Sequence, residues 1–253
     1  MNPEPASNAP QITTLRYKVR AYAVHLYTAS GIVFAFLAAA ELCARQPDPR
    51  WVFLWLTIAV LIDCTDGPLA RRWHVKRYAQ RIDGRTIDDI VDYITYTFLP
   101  LLLVWRMQWL PSPAGLWVAP AMVVSLLGFA NTGAKQEEEG FFLGFPSYWN
   151  VFAFYAGLWS THYGPYVPAV ILAVLTLLTI LPIRFVYPNL AVQPWKWILW
   201  LVTALWLGLL LVILPLYPAV PAWLMWMSLM YPGFYSLLSV YLDRLARSRC
   251  PQG

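Results

Sequence analysis

Two stretches decide how this chain folds: WVFLWLTIAVLIDCTDGPLARR, residues 51–72, and GRTIDDIVDYITYTFLPLLLVWRMQ, residues 84–108. Each holds an apolar run on the scale of a membrane-spanning helix, for which about 20 residues are needed. Each also carries carboxylates, Asp63 and Asp66 in the first and Asp88, Asp89 and Asp92 in the second. An ionisable residue at the centre of a spanning helix costs roughly 2.5–3.5 kcal/mol on insertion scales, less near an interface. A cluster of acids also repels itself, and a bound divalent cation would offset both effects. Asp63 and Asp66 are three apart, and Asp88 and Asp92 are four apart, so each pair lies on one helix face. Four carboxylates converging from two helices form an all-oxygen ligand set that suits Mg²⁺ or Mn²⁺ rather than zinc, with two ions if some carboxylates bridge. Asp89 falls outside this pattern and reads as an acid favoured at a helix start by the dipole.

The rest of the chain agrees with a membrane setting. Charged residues make up 12%, against about 25% in an average soluble domain. Hydrophobic residues make up 59%, with 14 Trp and 15 Tyr suited to membrane interfaces. Eight apolar stretches are expected to span, at 23–44, 51–72, 88–108, 114–133, 147–162, 165–184, 196–214 and 219–242, the fifth being short. The expected fold is an all-α transmembrane bundle. Residues 12–22 alternate basic and apolar; they form either an interfacial helix or an extension of the first span. Residues 1–11 lack the basic-then-apolar pattern of a cleavable leader and are expected to be a disordered tail. Residues 12–245 then form one membrane domain and 246–253 a C-terminal tail. Cys43, Cys64 and Cys250 have no repeated spacing and suggest neither disulfides nor zinc. Cys64 reads as a small neutral filler, and His25, His74 and His162, which share no partner spacing, read as structural.

Orientation follows from the basic residues. With the N-terminus in the cytoplasm and eight spans, only Arg45, Arg50 and Arg106 of the 18 Lys and Arg fall outside. Both termini and the carboxylates are then cytoplasmic, as in a bacterial inner-membrane protein. The net charge of +5 suits anionic headgroups rather than nucleic acid.

Around the carboxylates, Gly67, Ala70 and Gly84 remove bulk, so a nucleotide can lie against the backbone beside Asp66. Arg71 is placed to hold phosphate oxygens. The pattern D-x2-D-G-x2-A-R, a spacer, then G-x3-D-x3-D is filled by Asp63, Asp66, Gly67, Ala70, Arg71, Gly84, Asp88 and Asp92. It resembles the signature of the CDP-alcohol phosphatidyltransferase family. The spacer has twelve residues, where about eight is common in the family. That length, with ARRWHVK at 70–76, DYITY at 92–96 and FFLGFPSYWN at 141–150, is similar to the bacterial phosphatidylcholine synthase branch.

The resemblance implies a reaction in which CDP-diacylglycerol and choline give phosphatidylcholine and CMP. Metal ions held by the aspartates would neutralise the diphosphate. Asp92 would take the choline hydroxyl proton. Choline has a permanent charge and no N–H donor, so aromatic faces would hold it by cation–π attraction. Tyr93, Tyr96, Tyr148 and Trp149 are the candidates, Tyr96 lying one turn beyond Asp92. The run 141–149 also reads as a plain interfacial belt. Glu137, Glu138 and Glu139 read as a solvated loop able to draw a cation. A homodimer stays open. Other acceptors within the family, such as serine, inositol or glycerol phosphate, are the nearest alternative. A divalent-metal transporter is the alternative of another class, though no internal repeat and no midplane site supports it.

Overall fold

The computed structural model describes residues 9–131, 133, 135–136, 140–186 and 195–249. It is mostly helical: α1 (Ala9–Leu42), α2 (Pro49–Arg72), α3 (Val75–Tyr78), α4 (Gly84–Asp92), a π-helical turn (Tyr93–Phe98), α5 (Leu99–Arg106), α6 (Gly115–Ala130), α7 (Trp149–Tyr163), α8 (Tyr166–Ile180), α9 (Trp195–Ile213) and α10 (Ala222–Arg249). The expectations for residues 1–8, for Glu137–Glu139 and for residues 250–253 lie outside the described residues.

Each expected span falls on helix, but length and apolarity suffice for crossing only in Leu15–Leu42, Pro49–Arg72 and Trp195–Leu216 among the described residues. The α6 and α8 helices are apolar but shorter. At 15 residues, α7 is about 22 Å long, against a hydrocarbon core of about 30 Å. By length and composition, three helices among the described residues are candidates to cross a membrane, and the count of eight is not confirmed. Residues 12–22 are no separate surface helix; α1 runs unbroken for 34 residues, the second of the two readings.

The long spacer after α2 has a structural use. It folds into α3, whose Val75, with Ala79 just beyond it, packs on Ala21 and Val24 of α1. Tyr78 stacks on Tyr17 at 5.1 Å. The first helix is thereby tied to the segment that joins the two halves of the carboxylate motif.

The centre of the bundle is α7. Trp149 and every residue from Phe152 to Leu158 are buried, as suits a helix apolar all round. By contrast, Val170, Leu177, Leu201, Leu205, Val212 and Leu237 are exposed on α8, α9 and α10, where acyl chains rather than water are the fitting neighbours.

The all-α expectation needs one correction. A three-stranded antiparallel sheet is present, made of β1 (Lys135–Gln136), β2 (Phe141–Leu143) and β3 (Arg184–Val186) in that order. Phe142 pairs with Lys135 on one side and Phe185 on the other. The connections α6–α7 and α8–α9 return to the same place, and their backbone N–H and C=O groups pair with each other instead of with water. The sheet is fastened to α10: Val186 N donates to Ser239 Oγ at 3.2 Å, and Tyr235 OH donates to Val186 O at 2.8 Å.

Candidate active site

Two helices supply the carboxylates. At its start, α2 is capped by Asp48, which accepts from Arg50 N at 2.9 Å with Pro49 in the first turn. Pro68 sits inside α2; lacking an N–H, it leaves the Cys64 carbonyl without the helical donor four residues on. Asp83 caps α4, accepting from Thr86 Oγ1 at 2.8 Å and Arg85 N at 3.0 Å, and these bonds hold its carboxyl below the usual range. The cap fixes where α4 begins, and so the angle at which Asp88 and Asp92 project.

Carboxylate oxygens of Asp63, Asp88 and Asp92 all lie within 4.8 Å of one another, each side chain part-buried. Asp66 is outside this group of three. It is 7% exposed and turned towards α1, in hydrogen-bond contact with the Thr28 side chain and the Gly67 backbone. Nearby, the Tyr27 hydroxyl is 2.7 Å from Thr65 Oγ1. Asp89 is set apart, its Oδ2 3.6 Å from Arg85 Nε.

The small residues prove to serve two purposes. A Cβ on Gly67 would stand 3.5 Å from an Arg71 guanidinium nitrogen, so Arg71 folds back over the Asp66–Gly67 turn. A Cβ on Gly84 would meet the His25 ring at 2.8 Å, and one on Gly31 would meet Val91 Cγ1 at 2.8 Å. Gly84 and Gly31 are thus reciprocal notches that let α1 and α4 approach closely. The space beside Gly84 belongs to His25, not to open pocket. His25 is buried, and its Nε2 has no hydrogen-bond partner among the described residues.

The four aromatic candidates separate. Tyr96 donates from its hydroxyl to Asp63 Oδ2 at 2.8 Å, and its ring centroid is 6.3 Å from that of Tyr148. Tyr148 in turn is 6.4 Å from Tyr235 of α10. Tyr93 points elsewhere, its hydroxyl donating to Met122 O at 3.2 Å and its ring edge-on to Phe129. Trp149 is fully buried, donates to Ser125 Oγ at 2.7 Å, and packs on Phe145 and Phe152. It is a core residue with no ring face left for a ligand.

A profile of the CDP-alcohol phosphatidyltransferase family matches residues 22–139. The chain is 37% identical over 172 residues to a protein of Pseudomonas aeruginosa, covering 68% of this chain and 70% of that one. It is 37% identical over 175 residues to one of Rhizobium meliloti, covering 68% and 69%. It is 36% identical over 197 residues to one of Agrobacterium fabrum, covering 76% and 78%. All three relatives are named phosphatidylcholine synthase. The chain belongs to the CDP-alcohol phosphatidyltransferase family. No solved structure matches it.

As a CDP-alcohol phosphatidyltransferase, the chain is a transferase and an integral membrane protein, which removes the metal-transporter alternative. The family is generally dependent on divalent metal, and the donor set fits: three carboxylates with oxygens within 4.8 Å of one another, and no imidazole or thiolate in the group. His25, read as structural, does pack as a structural residue, filling the notch at Gly84. Sequence reasoning missed Thr28 and Tyr235, for which no local signal exists, because they approach Asp66 and Tyr148 only through packing.

Proposed function

We propose that this chain is a phosphatidylcholine synthase, transferring the phosphatidyl group of CDP-diacylglycerol to choline with release of CMP. The observation that carries the choline assignment is the Tyr96 side chain. Its hydroxyl holds Asp63 of the carboxylate group while its ring adjoins Tyr148. A cation on the rings would thus sit beside the carboxylates. The names of the bacterial relatives agree.

In this reading Asp63, Asp66, Asp88 and Asp92 hold Mg²⁺ or Mn²⁺, in two ions if they bridge; Asp66 joins by turning from Thr28. Bound metal supplies charge neutralisation for the diphosphate and for departing CMP. Arg71, lying over Gly67 at the α2 end, binds phosphate oxygens. The nucleotide lies along Asp66, Gly67 and Ala70, with Gly84 contributing by bringing α1 close. Asp92 accepts the choline hydroxyl proton as the oxygen bonds to the β-phosphorus, and the bond from that phosphorus to the bridging oxygen breaks to free CMP. Tyr96 and Tyr148 offer aromatic faces to the ammonium group.

The fold in this reading is eight crossings, completed by the shorter helices where packing shields their ends. Both termini and the carboxylates face the cytoplasm at an inner membrane, and residues 12–245 form one domain flanked by tails. The basic residues on one side support this orientation. A homodimer is compatible with it. The test is CMP release by purified protein given CDP-diacylglycerol and, in turn, choline, serine, inositol and glycerol phosphate. Release with choline above the others supports the proposal; release only with another alcohol keeps the family and rejects choline.

A further inference from the structure

We infer that Tyr235 is a third wall of the acceptor site, so that the C-terminal helix helps to set acceptor specificity; the inference rests on the choline reading above. Tyr96, Tyr148 and Tyr235 come from the π turn, the start of α7 and the middle of α10, yet their rings form a row with centroids 6.3 and 6.4 Å apart. Neighbouring rings are inclined at 49° and 61°. Parallel stacked rings hide their faces on each other. Rings inclined this way do not cover one another face to face, and the face of an aromatic ring is its electronegative part.

The hydroxyls at the two ends of the row are already engaged. Tyr96 donates to Asp63 Oδ2 and Tyr235 donates to Val186 O, both at 2.8 Å. What these two residues present to a ligand is therefore ring rather than hydrogen-bonding group. That suits a quaternary ammonium, which is permanently charged and has no N–H to donate.

The row is also braced. Tyr235, Ser239 and Asp243 recur every four residues on one face of α10. Tyr235 and Ser239 bond to Val186 of β3, and Asp243 Oδ1 lies 3.7 Å from Arg184 Nε, with Arg184 over the Phe141 ring of β2. From β2 the chain turns at Gly144, φ +85°, and reaches Tyr148 four residues later. The small sheet thus fixes Tyr148 relative to Tyr235, which gives it a role in the site.

The experiment is steady-state kinetics on the purified full chain, with choline varied at saturating CDP-diacylglycerol and metal-dependent CDP binding as the check of integrity. Removing one cation–π face in Tyr235→Leu is expected to raise the choline KM about two- to thirty-fold, with CDP binding retained. Tyr235→Phe, which keeps the ring, is expected to raise it less. Should Tyr235→Leu lose CDP binding, Tyr235→Met, unbranched and without a π face, takes its place with the same expectation. An unchanged choline KM in the variant lacking the ring overturns the inference, and so does a Tyr235→Phe effect as large as that of Tyr235→Leu. Wild-type protein that ignores choline but uses another alcohol overturns the choline reading itself, and this inference falls with it.

Discussion

The Tyr96 hydroxyl donates to Asp63 Oδ2 at 2.8 Å, joining the π turn beyond α4 to the carboxylate of α2. A hydrogen bond behind a ligand fixes which oxygen faces the metal, and losing such a partner commonly costs about 10- to 100-fold in metal affinity. Tyr96→Phe is therefore expected to raise the Mn²⁺ concentration for half-maximal activity on that scale while changing the choline KM less. Tyr96→Ala should raise both. A metal titration of the two variants checks this, and an unchanged Mn²⁺ requirement in Tyr96→Phe contradicts it.

Metal removal should be decisive. EDTA is expected to abolish CMP release, with Mg²⁺ or Mn²⁺ restoring it, because the ligand set is all carboxylate. Asp63→Ala, Asp66→Ala and Asp88→Ala should each lose activity and metal-dependent CDP binding together. Full turnover in thoroughly demetallated protein would sink the site.

Asp92 should behave differently from the other three. Loss of a general base typically costs about 10²–10⁴-fold in rate. Asp92→Asn is expected to lose turnover on that scale while keeping more of the CDP binding than the alanine variants. Turnover near wild type would assign the proton to another group.

The contact between Gly84 and His25 gives a stability prediction. An added methyl at residue 84 would meet the ring at 2.8 Å, and overpacking of this kind typically costs about 1–3 kcal/mol. Gly84→Ala is expected to lower the thermal midpoint in detergent, and His25→Ala added to it should restore part of the loss. Losses that simply add would show that the ring is not what the methyl meets.

Acceptor recognition should depend on Tyr148. Tyr148→Ala is expected to raise the choline KM with little change in that for CDP-diacylglycerol, by about two- to thirty-fold as one cation–π face is lost. Ethanolamine, whose N–H groups keep their water, should be a poor acceptor. Trp149→Ala should instead destabilise the protein, since Trp149 is buried and bonded to Ser125. Equal kinetic effects of the two substitutions on a stable protein would place the cage differently.

Much of the site was legible along the chain because its parts are local. Asp88 and Asp92 share a face for any helix, and a twelve-residue spacer can bring them back to Asp63 whatever the rest of the bundle does. The membrane class was equally legible, because a bilayer demands long apolar runs. Trp149 shows where that reading ends. On α7 apolar residues lie all round, so no polar face records which side meets the core, and a tryptophan near a helix start reads as readily as belt or binding site as it does as packing.

The sequence by itself determined the membrane class, the carboxylate motif and the family, because each rests on residue type at fixed short spacing. Only the tertiary structure decided that Asp66 turns to Thr28, that His25 fills the notch at Gly84, and that Tyr93 and Tyr96 part company across a π turn. It alone brought Tyr235 to Tyr148. These depend on how each helix is rotated and how closely it approaches its neighbour. In an apolar bundle that rotation is set by interlocking shapes and a few buried hydrogen bonds between residues far apart in the chain, and no local pattern encodes them.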